Sequence, residues 1–133
     1  MSKVINASLY ATLVKVDHII LKHNAYSAII NEDAQKASKL TDHYGCRMGQ
    51  WYYEGEGKAL FGHTASYKRM EAPHAAVHHE VLNTVKCAER CDCLFHTNKE
   101  KIVQSMSNME KSSQELFTLL DNMVVEANPN VSF

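Results

Sequence analysis

Apolar residues recur every three to four positions from Ala7 to Ala25 and again from Ile102 to Val124, and strand-like alternation is missing throughout. That periodicity confines the chain to the all-α class. Two prolines and five glycines punctuate 133 residues, with Gly55, Gly57 and Gly62 concentrated near the middle. The length suits one domain with one core and is too short for two ordinary ones. Residues 1–133 are therefore read as a single helical domain, with an ordered core at about 5–126 and a frayed tail, NPNVSF.

Four helices are expected, at about residues 5–31, 33–42, 73–95 and 99–126, the last with Thr97 or Asn98 as N-cap. Joined by short links, they make an antiparallel four-helix bundle the natural architecture, with the segment HYGCRMGQWYYEGEG as an extra short helix or loop. The first helix has two apolar stripes, Leu9, Leu13, Val16 and Ile20 on one side and Ala7, Ala11, Val14, Leu21 and Ala25 nearly opposite. A helix apolar on two sides is buried on two sides. One stripe can meet its own bundle and the other a second subunit, so a homodimer is expected.

The balance of 14 basic and 15 acidic residues leaves no charge excess suited to nucleic acid or an acidic membrane. No apolar run approaches the eighteen or so residues of a membrane span, and the N-terminus lacks a signal-peptide core. These features predict a cytoplasmic protein. Of the four cysteines, Cys87, Cys91 and Cys93 sit within seven residues of one predicted helix, a poor disulfide framework. Free, buried or half-buried thiols are expected there, with a second soft-metal site including His96 as the alternative.

The stretch EAPHAAVHHEV carries the most chemistry. Pro73 suits a first helical position, and His74, Val77, His78, Val81, Val85 and Ala88 fall on one face of the helix that follows. His74 and His78 stand one turn apart, so they can converge on one ion or serve as hydrogen-bonded core residues. A tetrahedral site needs two more donors. Cys46 lies in the glycine-flanked loop, and the first helix offers His18 on its alanine-rich stripe or His23 on the other; spacing does not choose between them. His43, His63 and His79 are read as surface residues, and Trp51 and Tyr52 as packing for the Cys46 loop. Asp17, Glu71 and Glu80 are the nearby carboxylates that could receive a ligand imidazole N–H.

Three pieces in order, VKVDHIILKHNAY, GCRMGQWYY and APHAAVHHEV, together resemble the chemoreceptor zinc-binding (CZB) domain. That family shows a DH-containing first helix, a C-x-x-G-x-W-Y segment and a later P-H-x-x-x-H helix, and the resemblance spans about residues 5–125. It implies a zinc ion held by three histidines and one cysteine, which carry over to His18, Cys46, His74 and His78. The resemblance thus selects His18 over His23.

What it further implies is a cytoplasmic regulatory module rather than an enzyme. CZB domains serve bacterial chemoreceptors and cyclic-di-GMP synthases, and the signals implied are zinc itself and oxidants such as hypochlorous acid. The opening INASLYATLVKVDH resembles the entry of the receptor-type version, so the C-terminal domain of a soluble chemoreceptor is the favoured context, with the receptor signalling domain or another output domain as partner. Cys46 is the candidate redox switch. The rivals are a zinc hydrolase, for which three histidines and an exchangeable fourth ligand would hold an activated water, and a free-standing zinc buffer.

Overall fold

The computed structural model describes residues 3–127, and the tail NPNVSF lies outside them. Among the described residues the chain is helical, with no strand. Helices follow one another as α1 (Lys3–Ile30), α2 (Ala34–Ser38), α3 (Arg47–Tyr53), α4 (Glu56–Phe61), α5 (Ala65–Arg69), α6 (Glu71–Arg90) and α7 (His96–Ala127). Three are long. Where a fourth substantial helix was expected at 33–42, α2 is five residues long, and the short helices α2–α5 fill out the bundle between α1 and α6 in the chain.

Local chemistry sets these boundaries. After α1, Glu32 takes a left-handed conformation with φ of 48°, and the Asp33 amide donates back to Ala28 O at 2.9 Å, which closes the last turn. Asp33 then caps α2, its Oδ1 accepting from the Lys36 amide at 3.0 Å. The 42–45 turn follows, with Asp42 Oδ1 accepting from the amides of Tyr44 and Gly45, each at 3.1 Å. α2 itself has already ended at its C-cap Lys39, and the aspartate-closed turn shapes the loop that follows.

On α1 the alanine-rich stripe is buried: Ala7, Ala11, Val14, His18, Ala25 and Ala28 all face the interior. The opposite stripe of Leu9, Leu13, Val16 and Ile20, with Ile19 beside it, is about half exposed. Lys15 pairs with Asp121, and Lys22 with Glu110 at 3.2 Å, tying the flanks of α1 to α7.

Among the described residues the core is two apolar clusters rather than one. Ala7, Ala11 and Val14 of α1 meet Met48, Trp51 and Tyr52 of α3, Phe61, Tyr67, Met70 and the C-terminal half of α7. Ala25, Ala28 and Ile29 meet Val77, Val81, Val85 and Ala88 of α6, with Met106 and Met109 of α7. His18 falls between the two clusters along α1, and His74 stands between Met70 of the first cluster, the N-cap of α6, and Val77 of the second.

Trp51 and Tyr52 pack the Cys46 loop as expected. Trp51 stacks on Tyr10 with ring centres 5.7 Å apart, and a Cβ added at Gly57 would lie 2.7 Å from its indole. Tyr52 stacks on Tyr67 at 4.1 Å, and each hydroxyl donates to the other residue's carbonyl oxygen.

The α6–α7 connection differs from expectation. α6 stops at Arg90 because Cys91 adopts a left-handed C-cap, φ 57° and ψ 37°, and the Asp92 amide donates to Cys87 O at 3.1 Å. Cys87 and Cys93 form a disulfide across this turn, with Cα atoms 4.8 Å apart. The expectation of three free thiols is therefore corrected: only Cys91 of the three is free, and it is exposed. Six residues apart on a continuous helix the two cysteines would lie about 9 Å apart along the axis; the chain reversal at Cys91 is what lets them meet. α7 then starts at His96, ahead of the expected cap, and Asn98 Nδ2 donates back to Asp92 O at 2.8 Å rather than capping a helix.

Candidate metal centre

α1, the loop before α3, and α6 each contribute to one buried cluster. His18, Cys46, His74 and His78 offer one ligand atom apiece, and these atoms all lie within 4.8 Å of one another. The three histidines are 1–2% exposed, and Cys46 is partly buried. The imidazoles meet edge to face, with ring centres 5.0 Å apart for His18–His74 and His74–His78 and 5.5 Å for His18–His78.

Backbone carbonyls aim the donors. His18 Nδ1 is 2.8 Å from Val14 O, one turn back on its own helix, and His78 Nδ1 is 2.8 Å from Thr41 O. A carbonyl only accepts, so Nδ1 carries the proton in both rings and Nε2 holds a free lone pair. Both Nε2 atoms are buried without a hydrogen-bond partner. His74 Nε2 lies 3.2 Å from Cys46 Sγ. Buried imidazole nitrogens left unpaired beside a thiol cost free energy unless something accepts their lone pairs. A divalent cation does so.

The protonation states fit that role. Burial, reinforced by the neighbouring histidines, pushes His74 down to about 2. Burial likewise takes His78 down to about 4 against the opposing bond to Thr41, and lowers His18. All three imidazoles are therefore neutral at neutral pH, as metal ligands must be. Burial raises the Cys46 thiol, while the Gly49 and Met48 amides work in the other direction. A bound cation is what would hold this sulfur deprotonated.

Cys46 also has a structural task. As N-cap of α3 its sulfur accepts from the Gly49 amide at 3.3 Å. A Cβ at Gly49 would lie 2.0 Å from His43 O. The Cys-x-x-Gly spacing thus places a donor amide against the sulfur and clears room for the preceding loop.

The other histidines separate cleanly. His23 is exposed on the outward stripe of α1, so the α1 member of the cluster is His18. His63, His79 and His96 are exposed; His96 lies outside the cluster, and the disulfide takes Cys87 away from any soft-metal site. His43 is the correction. Expected on the surface, its side chain is only 15% exposed, with Nε2 3.4 Å from Glu71 Oε1 and its ring 5.5 Å from that of His74. Its signal in the sequence was the Asp42–Gly45 turn, which folds position 43 back towards Cys46. Glu71 thus serves His43, and Asp17 pairs with Arg47 at 3.2 Å. For His18 and His78 the imidazole N–H groups go to carbonyls instead of to the anticipated carboxylates.

Fold and site together define a helical domain with a buried donor cluster of three histidines and one cysteine. Residues 18–85, more than half of the chain, match the chemoreceptor zinc-binding domain, CZB, and the chain belongs to that family. Zinc is accordingly the metal of this domain, and chemotaxis signalling its family context. No curated protein and no solved structure matches the chain. No helix among the described residues is long and apolar enough to cross a membrane.

The neutral imidazoles have a measurable consequence. An unfolded chain takes up protons on these rings below about pH 6.5, whereas the folded chain keeps His78 neutral down to about pH 4. The unfolded state then binds more protons, so stability falls as pH drops through that window. Denaturant titrations of the metal-free protein are expected to show this fall, and His78→Asn to make it shallower, with His18 and His74 still contributing. An unchanged slope in the variant would contradict the assignment of a neutral, buried His78.

Proposed function

We propose that the chain is a cytoplasmic sensory domain of bacterial chemotaxis signal transduction, in which His18, Cys46, His74 and His78 hold zinc and Cys46 is the point at which an oxidant acts. The observation that carries the reading is the pair of buried, unpartnered Nε2 atoms of His18 and His78, converging with His74 and Cys46 on one point. Three neutral imidazoles and one thiolate match a four-coordinate zinc site and would leave it one net positive charge. Four protein donors leave no open position for the water that a hydrolytic zinc needs, which favours regulation over catalysis. The implied partner is the signalling or output domain of a parent protein.

Bound zinc would keep Cys46 as the thiolate, its nucleophilic form. The Cys46 sulfur attacks hypochlorous acid and is oxidised by two electrons to sulfenic acid, while chloride leaves. Oxygen then sits on the atom that accepts from the Gly49 amide and caps α3. Loss of a cap costs about 1 kcal/mol, and α3 carries Trp51 and Tyr52 into the first apolar cluster. The α3 segment is thus the two-state element that an oxidant would bias.

The outward stripe of α1 is the proposed homodimer face. Leu9, Leu13, Val16, Ile19 and Ile20 form a contiguous apolar strip on one helix, more than scattered surface residues account for.

Three outcomes are expected. Elemental analysis should find close to one zinc per chain, with large losses in His18→Ala, His74→Ala, His78→Ala and Cys46→Ser and none in His23→Ala; retention in any of the first four would refute that ligand. A sub-stoichiometric dose of hypochlorous acid should modify Cys46 first, release zinc and change the fluorescence of Trp51, the chain's single tryptophan. Oxidation of Cys91 first, with zinc still bound, would leave direct zinc sensing as the better reading. Sedimentation at tens of micromolar should show a dimer that Leu13→Glu with Ile20→Glu converts to monomer; a monomeric parent protein would rule out the α1 face.

A further inference from the structure

Three cysteines at the α6–α7 connection have no part in the zinc site. Cys87 and Cys93 are joined as a disulfide and are 2% and 4% exposed. Cys91 is a free, exposed thiol on the left-handed residue that ends α6. It stands four residues after one sulfur and two before the other. A buried disulfide and an exposed thiol within one turn form a complete set for thiol–disulfide exchange, in which a thiolate attacks one sulfur and the other leaves with the electron pair.

We propose that Cys87, Cys91 and Cys93 form a second redox site, where a dissolved low-molecular-weight disulfide oxidises the buried Cys87–Cys93 pair by way of Cys91. Written for an incoming R–S–S–R, the Cys91 thiolate attacks one sulfur, forming Cys91–S–S–R and releasing the first RS⁻. A thiolate of the buried pair then attacks the Cys91 sulfur and expels the second RS⁻. The third cysteine finally attacks the sulfur of its buried partner, and Cys91 leaves as a thiolate. In sum Cys87 and Cys93 lose two electrons and two protons, and R–S–S–R gains them as two RSH. Excess RSH drives the same steps backwards.

Burial decides the route. A groove of about 160 Å³ between α6 and α7 is lined by Cys87 with Asn83, Arg90, Asn98 and Lys101, but it leaves Cys87 only 2% exposed. Cys91 is the one sulfur of the three that a reagent reaches without opening the turn. A disulfide in a reducing compartment is ordinarily transient or sensory, which agrees with a bond that solution thiols can reset. The bond also fixes the turn at which α6, the helix bearing His74 and His78, passes into α7. None of these steps requires the zinc ligand assignment.

The test uses oxidised glutathione as the probe. The zinc-loaded 133-residue chain is reduced with a phosphine, freed of reductant and exposed to the probe, and alkylated samples are mapped by mass spectrometry over time. Glutathione is expected first on Cys91, and the Cys87–Cys93 bond should form at least tenfold faster than in Cys91→Ser. Cys91→Asn, whose side chain tolerates the left-handed backbone, should be slowed equally, with zinc content and helicity unchanged in both. Equal rates in parent and variants, a first adduct on Cys46, Cys87 or Cys93, or a bond that neither opens nor reforms would each overturn the proposal.

Discussion

Everything in this fold is arranged around three neutral imidazoles and one thiol brought together out of water. Left alone, such a cluster is a cost, because the Nε2 atoms of His18 and His78 are buried with nothing to accept. It lies where two apolar clusters meet along α1 and at the N-terminus of α6, so the donors interrupt what would otherwise be a continuous core. A zinc ion converts the interruption into a joint. Structural zinc binding is in large part folding free energy, and here it would link α1, α6 and the Cys46 loop at one point.

Precision at that joint comes from the backbone. The carbonyls of Val14 and Thr41 fix the tautomers of His18 and His78, and Thr41 belongs to the loop that also delivers His43 and Cys46. Any shift of that loop therefore moves the Cys46 sulfur and the orienting carbonyl of His78 together. Cys46 couples the same loop to α3 through its cap on Gly49, and α3 is anchored by Trp51 and Tyr52. Chemistry at one sulfur thus has a short mechanical route into the core.

Helical class, the buried face of α6 and the packing role of Trp51 and Tyr52 were legible from periodicity and residue type. So was the pairing of His74 with His78, because a single helix fixes the geometry of i and i+4. The choice of His18 over His23 was not, since it depends on which stripe of α1 faces inward, and both stripes are apolar. His43 was missed for a different reason: its burial comes from an aspartate-closed turn rather than from a periodic face. The Cys87–Cys93 disulfide escaped because a helix extended to Phe95 holds the two residues apart, and only the left-handed conformation of Cys91 reverses the chain. Long-range placement and backbone handedness, rather than composition, were what the sequence withheld.

The central claim is that one zinc ion is coordinated by three imidazole nitrogens and a single sulfur. X-ray absorption at the zinc edge on the purified, zinc-loaded protein reads that shell directly. Three nitrogen scatterers at about 2.0–2.1 Å and one sulfur at about 2.3 Å are expected. A shell with no sulfur, or with two or more sulfurs, would contradict it.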